Sequence, residues 1–352
     1  MIRAIVIDDV ATVRQALCRL LVEGGEIEVA AEGRDGHDAV ALTMERRPDI
    51  ILMDVDMPRM DGLAATREIM ATRATPILIV TSSAIVDARH LPFAAIEAGA
   101  LDVFLKPDLT DPSAWELAGA QLRQAVRLLA RVPVVHRRAR KTAAPTGIGE
   151  HLAAIDPGWR LGVIVIGAST GGPMAIRHVL RELPPTFPVP IAIVQHIGDA
   201  FVPGLVEWLG HDVPLPVALA RDRRPLAPGT VAVAPGGVHL RLAEGPVARF
   251  DMGPLVQHCR PAVDVLFHSA AQTLGSRAIG ILLTGMGRDG ADGLRAIHDA
   301  GGVTIAQDRE SSIVYGMPGA AVDMGVVDHV CSPQEIGRWL ASLPSASRRT
   351  GQ

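Results

Sequence analysis

Aromatic residues are scarce in this chain: six Phe, four Trp and one Tyr make up 3% of 352 residues. Large rings cannot carry the core, so Ala, Val, Leu and Ile must fill it. The chain is 48% apolar, enough to bury two cores, and its length exceeds one average domain. Cysteine is rarer still. Cys18, Cys259 and Cys331 are odd in number and scattered, which excludes a disulfide framework and fits a reducing cytoplasm. No Cys/His spacing resembles a zinc site. No apolar run is long enough to span a bilayer, and the N-terminus reaches Asp8 and Asp9 before a leader-like stretch could form. Neither sign of charge dominates: 34 Lys+Arg against 38 Asp+Glu leave a formal −4. Nothing pulls the whole molecule toward nucleic acid or an anionic membrane. The expectation is a cytoplasmic protein with no nucleic-acid partner and no membrane insertion.

What is present is a rhythm of short apolar runs and helical patterns, given twice. Strands are predicted at Ile2–Ile7, Ile27–Ala31, Ile50–Met53, Pro76–Val80 and Asp102–Leu105, with helices such as Val13–Val22 and Asp38–Arg46 between them. From Ser113 on, Ala118, Leu122, Ala125, Val126 and Leu129 form one apolar helical face. Five strands alternating with helices predict an α/β fold, a doubly wound parallel sheet covered on both faces. The rhythm breaks near Arg131 in a stretch holding Arg137, Arg138, Arg140 and Lys141, read as a solvated basic tether. A second α/β pattern follows, with strands predicted at Val163–Ile166, Ile191–Val194, Thr230–Ala234, Ile279–Leu283 and Val303–Ala306. The organisation read from this is a first domain over 1–131, a linker over 132–158, a second domain over 159–343 and a tail over 344–352.

In the first domain Asp8 and Asp9 end the first predicted strand, Asp54 the third, Thr81 the fourth and Lys106 the fifth. An open parallel sheet gathers these ends on one edge, where ligand sites form. Three carboxylates there repel one another unless a hard cation such as Mg²⁺ sits among them. That cation, with Lys106 and the Thr81 hydroxyl, suits an incoming phosphoryl group, and Asp54 can accept it as an acyl-phosphate. Any one of these acids alone is as well read as a turn residue.

In the second domain Val163–Ile166 runs into Gly167-Ala168-Ser169-Thr170-Gly171-Gly172-Pro173. Small residues let the strand turn sharply into a helix, exposing the Ser169 hydroxyl beside free N–H groups. A dinucleotide loop is the rival, but Ser169 stands where that motif needs its second glycine, and the next strand ends at Gln195-His196 without a ribose-binding acid. His196 and Asp289 follow two further predicted strands and share the edge with Ser169: a nucleophile, a base and an orienting carboxylate. The order Ser–His–Asp disfavours the α/β-hydrolase fold. A lone loop histidine is ordinarily only polar surface, so this assignment rests on the convergence.

The set Asp8-Asp9, Asp54-x-x-Met57-Pro58-x-Met60-Asp61-Gly62, Thr81-Ser82 and Lys106-Pro107 resembles the receiver domain of two-component response regulators. That resemblance implies Asp54 as phospho-acceptor, Asp8 and Asp9 with Asp54 as Mg²⁺ ligands, and Thr81 and Lys106 as phosphate sensors. Phe104 matches the family's switch aromatic and is equally well a core residue. The later motifs are Gly167–Pro173, Gln195-His196, Ala234-Pro235-Gly236-Gly237-x-His239-Leu240, Arg260-Pro261-Ala262-Val263-Asp264, Thr284-Gly285-Met286-Gly287-x-Asp289-Gly290 and Val314-Tyr315-Gly316-Met317-Pro318. With the receiver in front, they resemble the chemotaxis protein-glutamate methylesterase (CheB) family. That likeness implies a phosphorylation-activated serine hydrolase acting on glutamate methyl esters of chemoreceptors, and on receptor glutamines as a deamidase. It implies catalytic Ser169, His196 and Asp289, oxyanion donors from the backbone N–H groups of Thr170 and Met286, no cofactor at the esterase site, and a chemotaxis histidine kinase as phosphodonor. Two positions depart from the family: Ala262 where Ser is common, and Gly319 where a basic residue is common. Esterase chemistry on another methylated protein, and a phosphorylation-controlled binding module, are the other readings. A DNA-binding output domain fits neither the acidic balance nor the strands after Arg160.

Overall fold

The computed structural model describes residues 1–82, 91–106, 112–132, 134 and 161–343. The segment read as a linker (except 132 and 134) and the tail lie outside the described residues. The chain divides into two compact units, Met1–Arg140 and Lys141–Gln352. No helix among the described residues is long and apolar enough to cross a membrane.

The first unit alternates strands β1 (Ile2–Ile7), β2 (Ile27–Gly33), β3 (Ile50–Met53), β4 (Ile77–Thr81) and β5 (Asp102–Leu105) with helices α1 (Ala11–Val22), α2 (Gly36–Arg46), α3 (Gly62–Thr72), α4 (Leu91–Ala98) and α5 (Pro112–Leu129). The strands pair in parallel in the order β2-β1-β3-β4-β5. All four residues of β3 are buried, as a strand covered on both faces requires. Pro76 falls just outside β4 because it has no N–H for the ladder; its carbonyl still accepts from Ile51 N at 2.9 Å. Two helix starts are set by side chains: Asp35 caps α2 through Asp38 N at 2.9 Å, and Asp61 caps α3 through Ala64 N at 2.7 Å.

The second unit is a seven-stranded sheet of order β14-β13-β12-β6-β7-β9-β8, every pair parallel. Its strands are β6 (Val163–Ala168), β7 (Ile191–Gln195), β8 (Val217–Leu219), β9 (Val231–Val233), β12 (Ala278–Leu282), β13 (Val303–Gln307) and β14 (His329–Cys331). An antiparallel hairpin, β10 (His239–Ala243) with β11 (Val247–Asp251), stands apart from the sheet. The helices are α6 (Gly172–Arg181), α7 (Val202–Asp212), α8 (Val263–Leu274), α9 (Ala291–Asp299), α10 (Met317–Asp323) and α11 (Pro333–Ser342). One cluster of Val163, Val165, Val263, Leu266, Phe267, Leu282 and Leu294, among others, forms the core. Phe267 is its largest fully buried side chain, and the rest is small aliphatic packing, as so few aromatics dictate. The chain enters this sheet at β6 and winds first toward β7, later toward β12. That reversal opens a crevice at the carboxyl ends of β6 and β12, where ligand sites form in such sheets.

Candidate functional site

The carboxyl edge of the first sheet brings together the five residues singled out above. Asp8 N donates to Gly33 O at 3.1 Å and Asp54 N to Ile7 O at 2.9 Å, so each acid is fixed by the adjoining strand. Asp8 and Asp54 are buried and Asp9 is exposed, with one carboxylate oxygen of each within 4.8 Å of the others. The backbone gives little relief: Asp54 Oδ1 accepts from Val55 N at 2.7 Å, and Asp8 Oδ1 from Val10 N at 2.9 Å. Lys106 is the cation among them. Its Nζ pairs with Asp54 and lies 2.7 Å from Asp8 Oδ2. Burial pushes the Asp54 carboxyl up, against the pull of Lys106. Burial alone would push Lys106 down, but Asp54 and Asp8 outweigh it and hold the ammonium above its usual value. Three carboxylates against one ammonium leave room for a hard divalent cation, and oxygen donors are what Mg²⁺ takes. The Thr81 hydroxyl is buried with no hydrogen-bond partner among the described residues, an orphan suited to a phosphoryl oxygen. Gly62 is required here: a Cβ would collide with the Asp54 carbonyl. Phe104, paired with Val80, is half-buried rather than part of the sealed core.

In the second unit the β6–α6 turn holds Ser169 from three sides. Ser169 N donates to Thr284 O at 3.0 Å; its carbonyl accepts Gly172 N at 2.7 Å and Gln195 Nε2 at 2.8 Å. Gly171 sits at φ +74°, a left-handed conformation that favours glycine, and a Cβ on Gly172 would collide with the Gln195 amide. Ala168 pairs with Gln195, and His196 N donates to Ala168 O at 2.9 Å, so His196 leaves its strand beside Ser169. Gly285 completes the wall: a Cβ there would lie 2.7 Å from Ser169 Cβ. No acceptor among the described residues takes the N–H of Thr170 or Met286.

His196 Nε2 lies 2.8 Å from Asp289 Oδ2, close but not aligned as a hydrogen bond, which is common before substrate tightens a site. Burial would lower the imidazole; the Asp289 carboxylate and the Cys259 sulfur more than offset it and push it up to about 9. Asp289 is itself buried and held low, because His196 and two backbone donors outweigh its desolvation. Those donors open α8: Val263 N at 2.7 Å and Asp264 N at 2.9 Å. The arrangement is reciprocal. Asp264 Oδ1 accepts Gly290 N at 2.9 Å and Gly293 N at 2.7 Å, from the start of α9. With its own desolvation first and the Asp289 charge beside it, Asp264 is pushed up to about 6.

The structure thus brings Ser169, His196 and Asp289 to one crevice and adds residues the sequence reading passed over. Asp264 stood inside a quoted motif, and an acid in the first turn of a helix was the available signal. Cys259, with Sγ 3.8 Å from His196 Nδ1, gave none, being 63 residues away. At Gly319, the position without the family's basic residue, a Cβ would press on the Tyr315 ring at 3.0 Å. The Arg309 guanidinium stacks on that ring at 4.3 Å, so a cation reaches this rim from a different position.

A parallel-sheet unit with a buried aspartate pocket, followed by a doubly wound unit with a serine–imidazole–carboxylate cluster, defines a response regulator with an enzyme-like output domain. Comparison with known proteins agrees. Residues 4–111 match the response regulator receiver domain and residues 164–340 the CheB methylesterase family model. The chain belongs to the CheB methylesterase family. It is 46% identical over 347 residues to protein-glutamate methylesterase/protein-glutamine glutaminase 2 of Anaeromyxobacter dehalogenans, covering 97% of each chain. It is 40% identical to a protein of the same name from Methanospirillum hungatei, covering 97% of this chain and 98% of that one. The crystal structure of the Thermotoga maritima CheB methylesterase catalytic domain is matched at TM-score 0.51 and 37% identity, over 52% of this chain and 99% of that one.

Proposed function

We propose that this chain is a phosphorylation-controlled protein-glutamate methylesterase and protein-glutamine glutaminase. It acts in the cytoplasm on methyl-accepting chemotaxis receptors and receives its phosphoryl group from a chemotaxis histidine kinase. The observation that carries the reading is the meeting of Ser169, His196 and Asp289 at the crevice between β6 and β12. With Nε2 turned to Asp289, Nδ1 is the nitrogen left to take the Ser169 proton. Ser169 Oγ attacks the ester carbonyl, and the free N–H groups of Thr170 and Met286 receive the developing oxyanion. His196 returns the proton to the departing methanol, then draws one from the water that releases glutamate. A glutamine amide follows the same course with ammonia leaving.

In the receiver, Asp8, Asp9 and Asp54 are the residues that would hold Mg²⁺, which neutralises charge on an incoming phosphoryl group. Asp54 takes that group, and Lys106 and the Thr81 hydroxyl are placed to contact its oxygens. Methanol release from membranes bearing methylated receptors, with and without a small phosphodonor, tests the reading. Release that rises with phosphodonor supports it; membranes that keep their methyl esters overturn it.

A further inference from the structure

We infer that Cys259 Sγ and His196 Nδ1 form a binding site for a thiophilic divalent cation of the Zn²⁺ class, and that its occupation shuts the esterase off. The second half rests on the proposal that His196 is the general base. The two atoms are 3.8 Å apart. Zinc–sulfur and zinc–nitrogen bonds of about 2.3 and 2.0–2.1 Å at a tetrahedral angle span an edge of about 3.6 Å, so both ligands reach one ion almost in place. The rest of the imidazole is already arranged as in metal sites, where the second ring nitrogen faces a carboxylate. Here Nε2 faces Asp289 Oδ2 at 2.8 Å. One ligand atom each of His196, Cys259 and Asp289 lies within 4.8 Å of the others.

The thiol is held for this. Cys259 and Val256 exchange both backbone bonds, at 2.9 and 3.1 Å, closing a tight loop, and Arg260 Nη1 ties that loop to Gly253 O at 3.1 Å. Cys259 is half-buried, so an ion from solvent can reach it. On binding, the S–H bond breaks and, where the raised imidazole is protonated, its Nδ1–H bond breaks as well, and these protons go to solvent. A sulfur–metal bond and an Nδ1–metal bond form, and water fills the remaining positions; nothing is oxidised or reduced. The lone pair that would take the Ser169 proton is then engaged by the metal. Sulfur and imidazole favour soft ions, whereas the receiver's three carboxylates favour hard ones. The two units therefore answer to different cations, Mg²⁺ in the first and Zn²⁺ in the second.

The test uses the full-length protein in Mg²⁺ buffer, with Co²⁺ as the optical probe and Zn²⁺ as the inhibitor. Co²⁺ should give a thiolate-to-metal charge-transfer absorption in the wild type that is absent in Cys259→Ser and Cys259→Ala but kept in Cys18→Ser. Zn²⁺ should slow methanol release, with chelator restoring it. Measured against its own metal-free rate, Cys259→Ser should need about tenfold more Zn²⁺ or beyond for the same fractional inhibition. Wild type and Cys259→Ser inhibited at the same Zn²⁺ concentration, or Co²⁺ bound without the charge-transfer band, would overturn the site. The absorption reads the site without catalysis, so a chain without esterase activity would still show whether the metal binds.

Discussion

The two units place acids at the same point of the same kind of sheet and treat their charge in opposite ways. In the receiver, Asp8, Asp9 and Asp54 share one protein cation, Lys106, and each buried acid takes a single backbone donor. In the second unit Asp289 has two backbone donors, an imidazole beside it, and a neighbouring acid driven toward its neutral form. The receiver pocket leaves negative charge that a bound cation would complete. The Asp289 carboxylate, already met by two amides and an imidazole, is completed by the protein.

This contrast can be broken by substitution. The largest effect belongs to Ser169→Ala, which should lower methanol release by about 10⁴-fold or more. Phosphorylation of Asp54 should be untouched; coupled losses would mean that the units do not divide the chemistry as described. Next is Asp264→Ala, which frees the Gly290 and Gly293 amides and lets Asp289 drift. It should cost about a hundredfold in kcat, since small misplacements carry such penalties. Asp264→Asn keeps an acceptor for those amides and should recover most of it, whereas a purely charge-based role would leave both variants equally slow. Excision should sharpen the comparison from the other side. Residues 150–352 alone should outpace the unphosphorylated chain by about tenfold and ignore phosphodonor. A fragment no faster than the intact chain would make the receiver an activator. Asp54→Asn should leave the full chain unlabelled and unresponsive.

Smaller effects probe electrostatics. A protonated imidazole cannot accept the Ser169 proton. With His196 raised toward about 9, kcat/KM should climb as pH rises toward that value and fall away below it. Cys259→Ser removes one raising contact and should move the inflection down. Arg309→Ala should raise KM for receptor substrate by no more than about fivefold, the scale of an exposed ion pair, with hydrolysis of a small neutral ester unchanged.

Much of this was legible in the sequence where chemistry sits at strand ends. Asp8, Asp54, Lys106 and Ser169 each follow an apolar run, and His196 follows one after Gln195, so strand periodicity places them on an edge. Asp289 was placed through a longer loop, and its motif supplied the remainder. The hairpin of β10 and β11 was missed because its alternation (buried His239 and Leu240, exposed Arg241, buried Leu242) is short and lies off the main sheet. Asp264, Gln195 and Cys259 act through contacts across 25, 26 and 63 residues. No local pattern encodes a partner that only tertiary packing delivers.

The exchange of carboxylates between α8 and α9 also has a dynamic consequence. The α8 start is capped by Asp289, just ahead of α9, and the α9 start by Asp264 of α8, so neither first turn can fray without releasing the other's cap. The amides of Val263, Asp264, Gly290 and Gly293 should therefore trade hydrogen for deuterium at one common rate, as a single cooperative opening. Under destabilising conditions the Asp289 carboxylate would stay in register until both helices let go together.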